Sequence, residues 1–323
     1  MIRGFTIGFI LLWGVGACVA TRADTADIAR LGFVWPVGEA ETPTKEFWER
    51  LRVLGWEEGR NLTVERRWAE GRIERLPELM AEVLARKVDV IVTVSTPGAM
   101  AAKAATATVP IVAGAIGDPV QVGLAQSLAR PGGNLTGLSY GFSEGFAGKW
   151  LELLRECVPQ LKTVALLYNP RNPWAVEQRK ELETAIAALG LKVDLIEVTR
   201  SESLSAGLAQ ARRAQGLIVV ADPLTYQLRS EIASIATRQR LPMIASMLEF
   251  VDAGGLLSYG VDNAAVLRRM AEYVDKILRG AKPADLPIEQ PTQLALAVNL
   301  KTAAALGIKI PAAILGRADK VIR

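Results

Sequence analysis

Eight residues stand where short apolar runs end: Trp35, Ser95, Thr96, Asp118, Asn169, Asp222, Tyr259 and Asp262. Their types suit noncovalent capture of a small polar molecule. Ser95 and Thr96 open a helical pattern, where hydroxyls and free backbone N–H groups can hold a carboxylate. Asp118 and Asp222 each offer a carboxylate to an ammonium group. Trp35 and Tyr259 offer ring faces to an apolar or aromatic part of a ligand. Each also has a plainer reading. Ser95, Thr96 and the two aspartates make good helix N-caps, and Pro follows each aspartate. Asn169 before Pro170 suits a turn, and the aromatics suit packing between lobes. What raises the set above its members is convergence at one cleft, since no two form a self-sufficient catalytic motif.

Composition narrows the chemistry. The 323 residues include no histidine, which removes Ser-His-Asp and Cys-His catalysis, histidine bases and histidine metal sites. The chain has no G-x-x-x-x-G-K-[ST] and no G-x-G-x-x-G after its first strand, so no cofactor is expected. An exported enzyme using Asp118 and Asp222 as an acid/base pair stays open as an alternative. The expectation is a protein that is not an enzyme.

The first residues read as a targeting segment. Arg3 is followed by an apolar run from Gly4 to Ala17, with Ala20 and Ala23 before possible cleavage points. That is the layout of a secretory signal peptide over 1–23. The run is short for a membrane span, which needs roughly 20 apolar residues, although an uncleaved anchor is an alternative. "VGAC" (Val15 to Cys18) offers another, a lipoprotein signal with Cys18 as the lipid-bearing residue. Loss of 1–23 removes Arg3 and Arg22 and lowers the formal charge from +4 to +2. No strong basic field for nucleic acid then remains. Cys157 would be the one cysteine left, on an apolar helical pattern, so no internal disulfide is expected.

Strand and helix patterns alternate along the rest. "IARLGFVW" (28–35), "VDVIVTV" (88–94) and "VPIVAGAI" (109–116) read as strands, the β-branched run being typical of a strand buried on both faces. "RLPELMAEVLARK" and "TPGAMAAKAAT" read as helices, and a short helix is expected after Pro119. The rhythm repeats from 146, through the strands "TVALLYN", "LKVDLIEV", "GLIVVAD" and "LPMIASM". The units 88–114 and 216–246 share a strand, a polar residue, a proline, a helix and a strand opened by proline. "LTGLSYG" and "LLSYG" bracket the second lobe, and "LPIEQPTQLALAVN" (286–299) follows a long helical pattern. The fold class expected is therefore α/β: two Rossmann-like lobes with parallel sheets, joined by three crossing segments. Lobe 1 would hold 24–138 and 263–288, and lobe 2 would hold 139–262 and 289–323. In such sheets ligands bind beyond the carboxyl ends of the strands, where the eight residues stand.

Two long stretches carry a resemblance. "DPVQVGLAQSLARPGGNLTGLS" (118–139) and "LPIEQPTQLALAVNLKTAAALGIKIPAAILGRADKVI" (286–322) resemble substrate-binding proteins of bacterial ABC transporters, in the group labelled tryptophan/tyrosine-type. The resemblance implies a type I periplasmic-binding-protein fold, a periplasmic monomer and a permease partner in the inner membrane. It implies a small-molecule ligand, with aromatic amino acids the suggested cargo of some members. Carried over by position, the family's ligand residues fall at Ser95, Thr96, Asp118, Asn169, Asp222, Tyr259 and Asp262, with Ala221 or Asp222 facing the cleft. A sensor module serving a membrane receptor would read the same way.

Overall fold

The computed structural model describes residues 28–141, 146–211, 213–290 and 294–323. The expected signal segment 1–23 lies outside them. Among the described residues no helix is long and apolar enough to cross a membrane.

The first sheet contains β1 (Ala29–Trp35), β2 (Leu62–Trp68), β3 (Val90–Val94), β4 (Ile111–Ile116) and β5 (Leu135–Ser139). All its pairings are parallel, in the order β2-β1-β3-β4-β5. Its central strands are buried along nearly their whole length, as their short runs without charged residues allow. The connecting helices are α1 (Lys45–Val53), α2 (Leu76–Ala85) and α3 (Ser95–Ala105).

The second sheet contains β6 (Thr163–Tyr168), β7 (Lys192–Glu197), β8 (Gly216–Val219), β9 (Met243–Ala245), β10 (Leu257–Val261), β11 (Leu294–Asn299) and β12 (Lys320–Ile322). Its order is β12-β11-β10-β9-β8-β6-β7, parallel except where β10 meets β11. The remaining helices are α4 (Phe146–Cys157), α5 (Pro173–Ala188), α6 (Leu204–Gln210), α7 (Pro223–Gln227), α8 (Arg229–Arg238), α9 (Leu248–Asp252), α10 (Asn263–Leu278), α11 (Leu300–Leu306) and α12 (Ala312–Arg317). This is the two-sheet α/β architecture of the type I periplasmic-binding-protein fold.

The chain passes between the sheets after β5, between β10 and α10, and between residues 290 and 294. The helix α10 follows a strand of the second sheet yet packs on α1, β3, β4 and β5 of the first. Beside it, Leu138 of β5 bridges Glu289, and Arg269 of α10 pairs with Glu289 and Glu272. The third passage is thus tied back to the first sheet. We refer below to the two sheets with the helices packed on them as lobe 1 and lobe 2.

One expected element does not form. Residues after Pro119 make turns rather than a helix. Asp118 Oδ1 accepts from the N–H groups of Val120 and Gln121, and Leu124 and Ala125 both donate to the Pro119 carbonyl. Gly123, at φ 74°, then turns the backbone into the left-handed region and ends the coil after one turn.

Close approach fixes one glycine in β5. Gly137 has φ 139°, and a Cβ there would stand 1.9 Å from the Ala113 carbonyl oxygen across the β4–β5 bulge. Gly137→Ala must push two strands apart and strain its own backbone. We expect it to destabilise the protein by about 2 kcal/mol or more in urea denaturation. Unchanged stability would contradict the packing described.

Candidate ligand-binding site

The carboxyl ends of both sheets face one partly open cavity of about 100 Å³, room for several waters. Most of its wall is apolar. Trp35, Val37, Val94 and Leu267 come from lobe 1, and Trp174, Pro223, Tyr226 and Met247 from lobe 2. Trp35 is held by stacking on Phe33, with ring centroids 4.5 Å apart and planes 6° from parallel. Buried apolar residues of both lobes, Trp35 and Tyr226 among them, belong to one continuous cluster.

Two polar features stand out against this wall. The first is the N-terminus of α3. Ser95 has φ 70°, rare for a residue with a side chain, and Ala115 of β4 has φ 52°. Both line the cavity, so strained backbone is concentrated there. Ser95 Oγ accepts weakly from the Gly98 N–H at 3.4 Å, and Thr96 Oγ1 accepts from the Gly117 N–H at 3.0 Å. An eleven-residue helix thereby points its positive end at the cavity, a favourable place for an anion.

The second feature is Asp222, which is 4% exposed. Its Oδ1 accepts from the Leu224 N–H at 2.8 Å and from Asn169 Nδ2 at 3.1 Å, and its Oδ2 accepts from Asn172 Nδ2 at 3.1 Å. Burial pushes its pKa above the usual carboxylate range, against the pull of these hydrogen bonds. No Lys or Arg is among the described residues lining the cavity. A carboxylate held by neutral donors alone keeps much of its desolvation cost, and a bound cation would remove it.

Of the eight residues singled out in the sequence, the structure gathers Trp35, Ser95, Thr96 and Asp222 around this cavity. The other four stand elsewhere. Asp118 caps its own turn and lines an outer cleft. Asn169 is buried behind Asp222, where its side chain donates to the carboxylate and accepts from the Arg171 N–H. Tyr259 stacks on Phe146, with centroids 5.3 Å apart, and stands in the middle of β10 rather than at its carboxyl end. Asp262 caps α10 through the Ala264 N–H and lies near Arg268 on the surface.

Other cavity residues escaped sequence reading. Asn172 and Trp174 lie just past the end of β6, as the residue capping α5 and its second residue. "NPRNPW" carries two Asn-Pro steps, and either asparagine suits a cap. Tyr140 and Asn263 meet through a hydrogen bond, and Asn263 Nδ2 donates to Glu249 Oε1 of lobe 2 at 2.7 Å. Further contacts cross the opening. The Gly38 N–H donates to Gln227 Oε1 at 2.7 Å, and Gln121 Nε2 to Glu177 Oε2 at 3.4 Å.

The carboxyl ends of two sheets thus face one largely apolar cavity that has a helix N-terminus on one side and a buried carboxylate on the other. The chain matches the family model "ABC transporter substrate binding protein" over residues 41–322 and belongs to that family. It is therefore a substrate-binding component of an ABC transporter. A "Tyrosine-binding protein" of Clostridioides difficile (strain R20291) is 26% identical over 266 residues, 82% of this chain and 76% of that protein. A structure from Streptococcus pneumonia, described as an ABC domain in complex with L-Trp, superposes with a TM-score of 0.84 at 25% identity, covering 91% of this chain and 99% of that one. The ligand-free, open structure of a substrate-binding protein with adhesive properties from Clostridium difficile reaches only 0.64 at 27% identity, with the same 91% and 99% coverage. Identity is nearly equal in the two cases, and this chain superposes more fully on the liganded relative than on the open one.

The raised pKa of Asp222 has a signed consequence. A carboxyl that holds its proton more tightly when folded contributes stability below its ordinary pKa, and that contribution fades as pH rises through the folded value. Glu249 is also raised by burial, so the Asp222 share must be read as a difference. In urea denaturation without ligand, wild-type stability relative to Asp222→Asn is expected to fall from pH 4 to pH 7. A flat or rising difference would contradict the assigned shift.

Proposed function

We propose that the chain is the extracytoplasmic binding subunit of an ABC importer for a zwitterionic amino acid with an aromatic or bulky apolar side chain. The observation that carries this reading is the pairing, in one cavity with no basic side chain among its described residues, of a buried carboxylate with a helix N-terminus. The ligand ammonium would pair with Asp222, and its carboxylate would meet the N–H groups and hydroxyls of Ser95 and Thr96. Trp35 would flank the side chain, joined by Trp174 and Tyr226. Asn169 would act by holding Asp222. Asp118, Tyr259 and Asp262 would support the turn, the sheet and α10 rather than touch ligand.

A ligand with a net negative charge would meet Asp222 without a compensating cation, so neutral zwitterions are favoured over acidic amino acids. The tyrosine named for one relative and the L-Trp bound in another support an aromatic side chain. The lobes would be 24–138 with 263–288 and 139–262 with 289–323, moving about the three passages between the sheets. Export would follow from a signal peptide over 1–23, with a lipid on Cys18 as the alternative. The protein would act as a monomer, without catalysis, and hand its ligand to a permease in the inner membrane.

Calorimetry against a panel of L-amino acids tests this. Saturable one-site binding is expected for an aromatic member, accompanied by compaction in solution scattering. Asp222→Asn is expected to weaken it by ~2–5 kcal/mol, about 30-fold or more, the scale for losing one partner of a buried charge pair. Binding of acidic amino acids in preference, or undiminished binding by Asp222→Asn, would sink the assignment.

A further inference from the structure

We propose that the seat of the Trp174 indole on Gly117 is the latch that couples ligand occupancy to closure of the lobes, and that residue 117 is glycine to admit it. The inference rests on the binding function proposed above and names the residues through which binding would close the cleft.

Gly117 follows β4 in lobe 1, and Trp174 opens α5 in lobe 2. A Cβ on Gly117 would stand 2.2 Å from Trp174 Cδ2 and 2.5 Å from Cγ and Cε3. These atoms lie at the end of the rigid indole nearest its own Cβ, and they cannot swing aside as the tip of a flexible chain can. Gly117 is not among the positive-φ glycines, so its backbone makes no demand for glycine. The approach of the indole from the other lobe does.

Each half of the latch is tied to one polar end of the cavity. The Gly117 N–H donates to Thr96 Oγ1 at 3.0 Å, at the N-terminus of α3. The Gly117 carbonyl accepts from Ser139 Oγ at 2.7 Å, at the end of β5 where the first passage begins. On the other side, the Trp174 N–H donates to Asn172 Oδ1, and Asn172 Nδ2 donates to Asp222 Oδ2, both at 3.1 Å. Asp222, Asn172, Trp174, Gly117 and Thr96 thus form a connected path across the lobes. A ligand held between Asp222 and α3 completes that path into a ring. Trp174 also lines both the inner cavity and the outer cleft, so seating the indole divides one from the other.

The test is cross-linking of closed lobes. Gln121 and Glu177 touch across the opening, and Gln121→Cys with Glu177→Cys can be joined by a short bismaleimide. The native Cys157 is buried, and burial pushes its thiol pKa up to about 12, so it does not compete. The cross-linking rate reports arrival at the closed geometry with or without ligand. Gly117→Ala in this background is expected to slow it about tenfold or more, with an unchanged circular dichroism spectrum. Trp174→Ala should slow it less, and once the indole is gone Gly117→Ala should have no further effect. A parental rate in Gly117→Ala, an equal effect of Gly117→Ala with and without the indole, or no cross-link in the parent would overturn the latch. Should Gly117→Ala fail to fold, an unchanged rate in Trp174→Ala overturns it. L-Trp and L-Tyr are titrated into the wild type in parallel. If neither binds, the aromatic ligand assignment fails, while the cross-linking rates still decide the latch.

Discussion

A carboxylate buried without a cation is the constraint around which the site is arranged. Asp222 sits at the end of the β8 segment, at the start of α7, and its desolvation is only partly relieved by two asparagine side chains and the backbone N–H groups of Leu224 and Thr225. Such a group is costly in an apolar wall unless something positive comes to it. The position also organises its surroundings. Asn169 and Asn172 are both turned toward it, and Asn172 in turn caps the helix that presents Trp174. The electrostatic demand of one side chain therefore shapes the ligand pole, the start of α5 and the contact between lobes.

The opposite pole is made from backbone. The chain reaches the N-terminus of α3 through Ser95 in a left-handed conformation, and β4 bulges at Ala115 alongside it. Strain at two adjacent positions of one cavity wall aims helix N–H groups inward without placing a basic residue there. A helix end neutralises an anion without the long, entropically costly side chain that an arginine would need. The result is a cavity with a buried carboxylate at one end, a helix N-terminus at the other and apolar walls between, which is the basis for the zwitterion proposed as ligand. That combination, rather than any single residue, distinguishes the ligand class.

Much of this arrangement is legible in the sequence because parallel α/β sheets leave strong marks. Continuous β-branched runs, prolines just after strand ends and glycine-bounded segments locate the strands of both sheets, and Ser95, Thr96 and Asp222 follow from strand ends alone. Strand-end placement failed where local backbone chemistry competes. Asp118 is consumed by the turn it caps, and Asp262 by the helix it starts. Tyr259 lies in the middle of β10, which runs on to Val261, so the strand ends two residues later than a reading of the sequence places it. Trp174 was invisible for another reason. Its partner Gly117 follows β4 while Trp174 lies in α5 of the other lobe, and no local pattern of the sequence encodes a contact between residues 57 positions apart.

The central claim is that Asp222 is completed by the ligand's ammonium group. Calorimetry of the wild-type protein with L-tryptophan and with 3-indolepropionate, the same molecule without its amine, tests it most directly. The account predicts saturable binding of the amino acid and none of the amine-free acid over the same concentration range. Equal affinity for the two would contradict it.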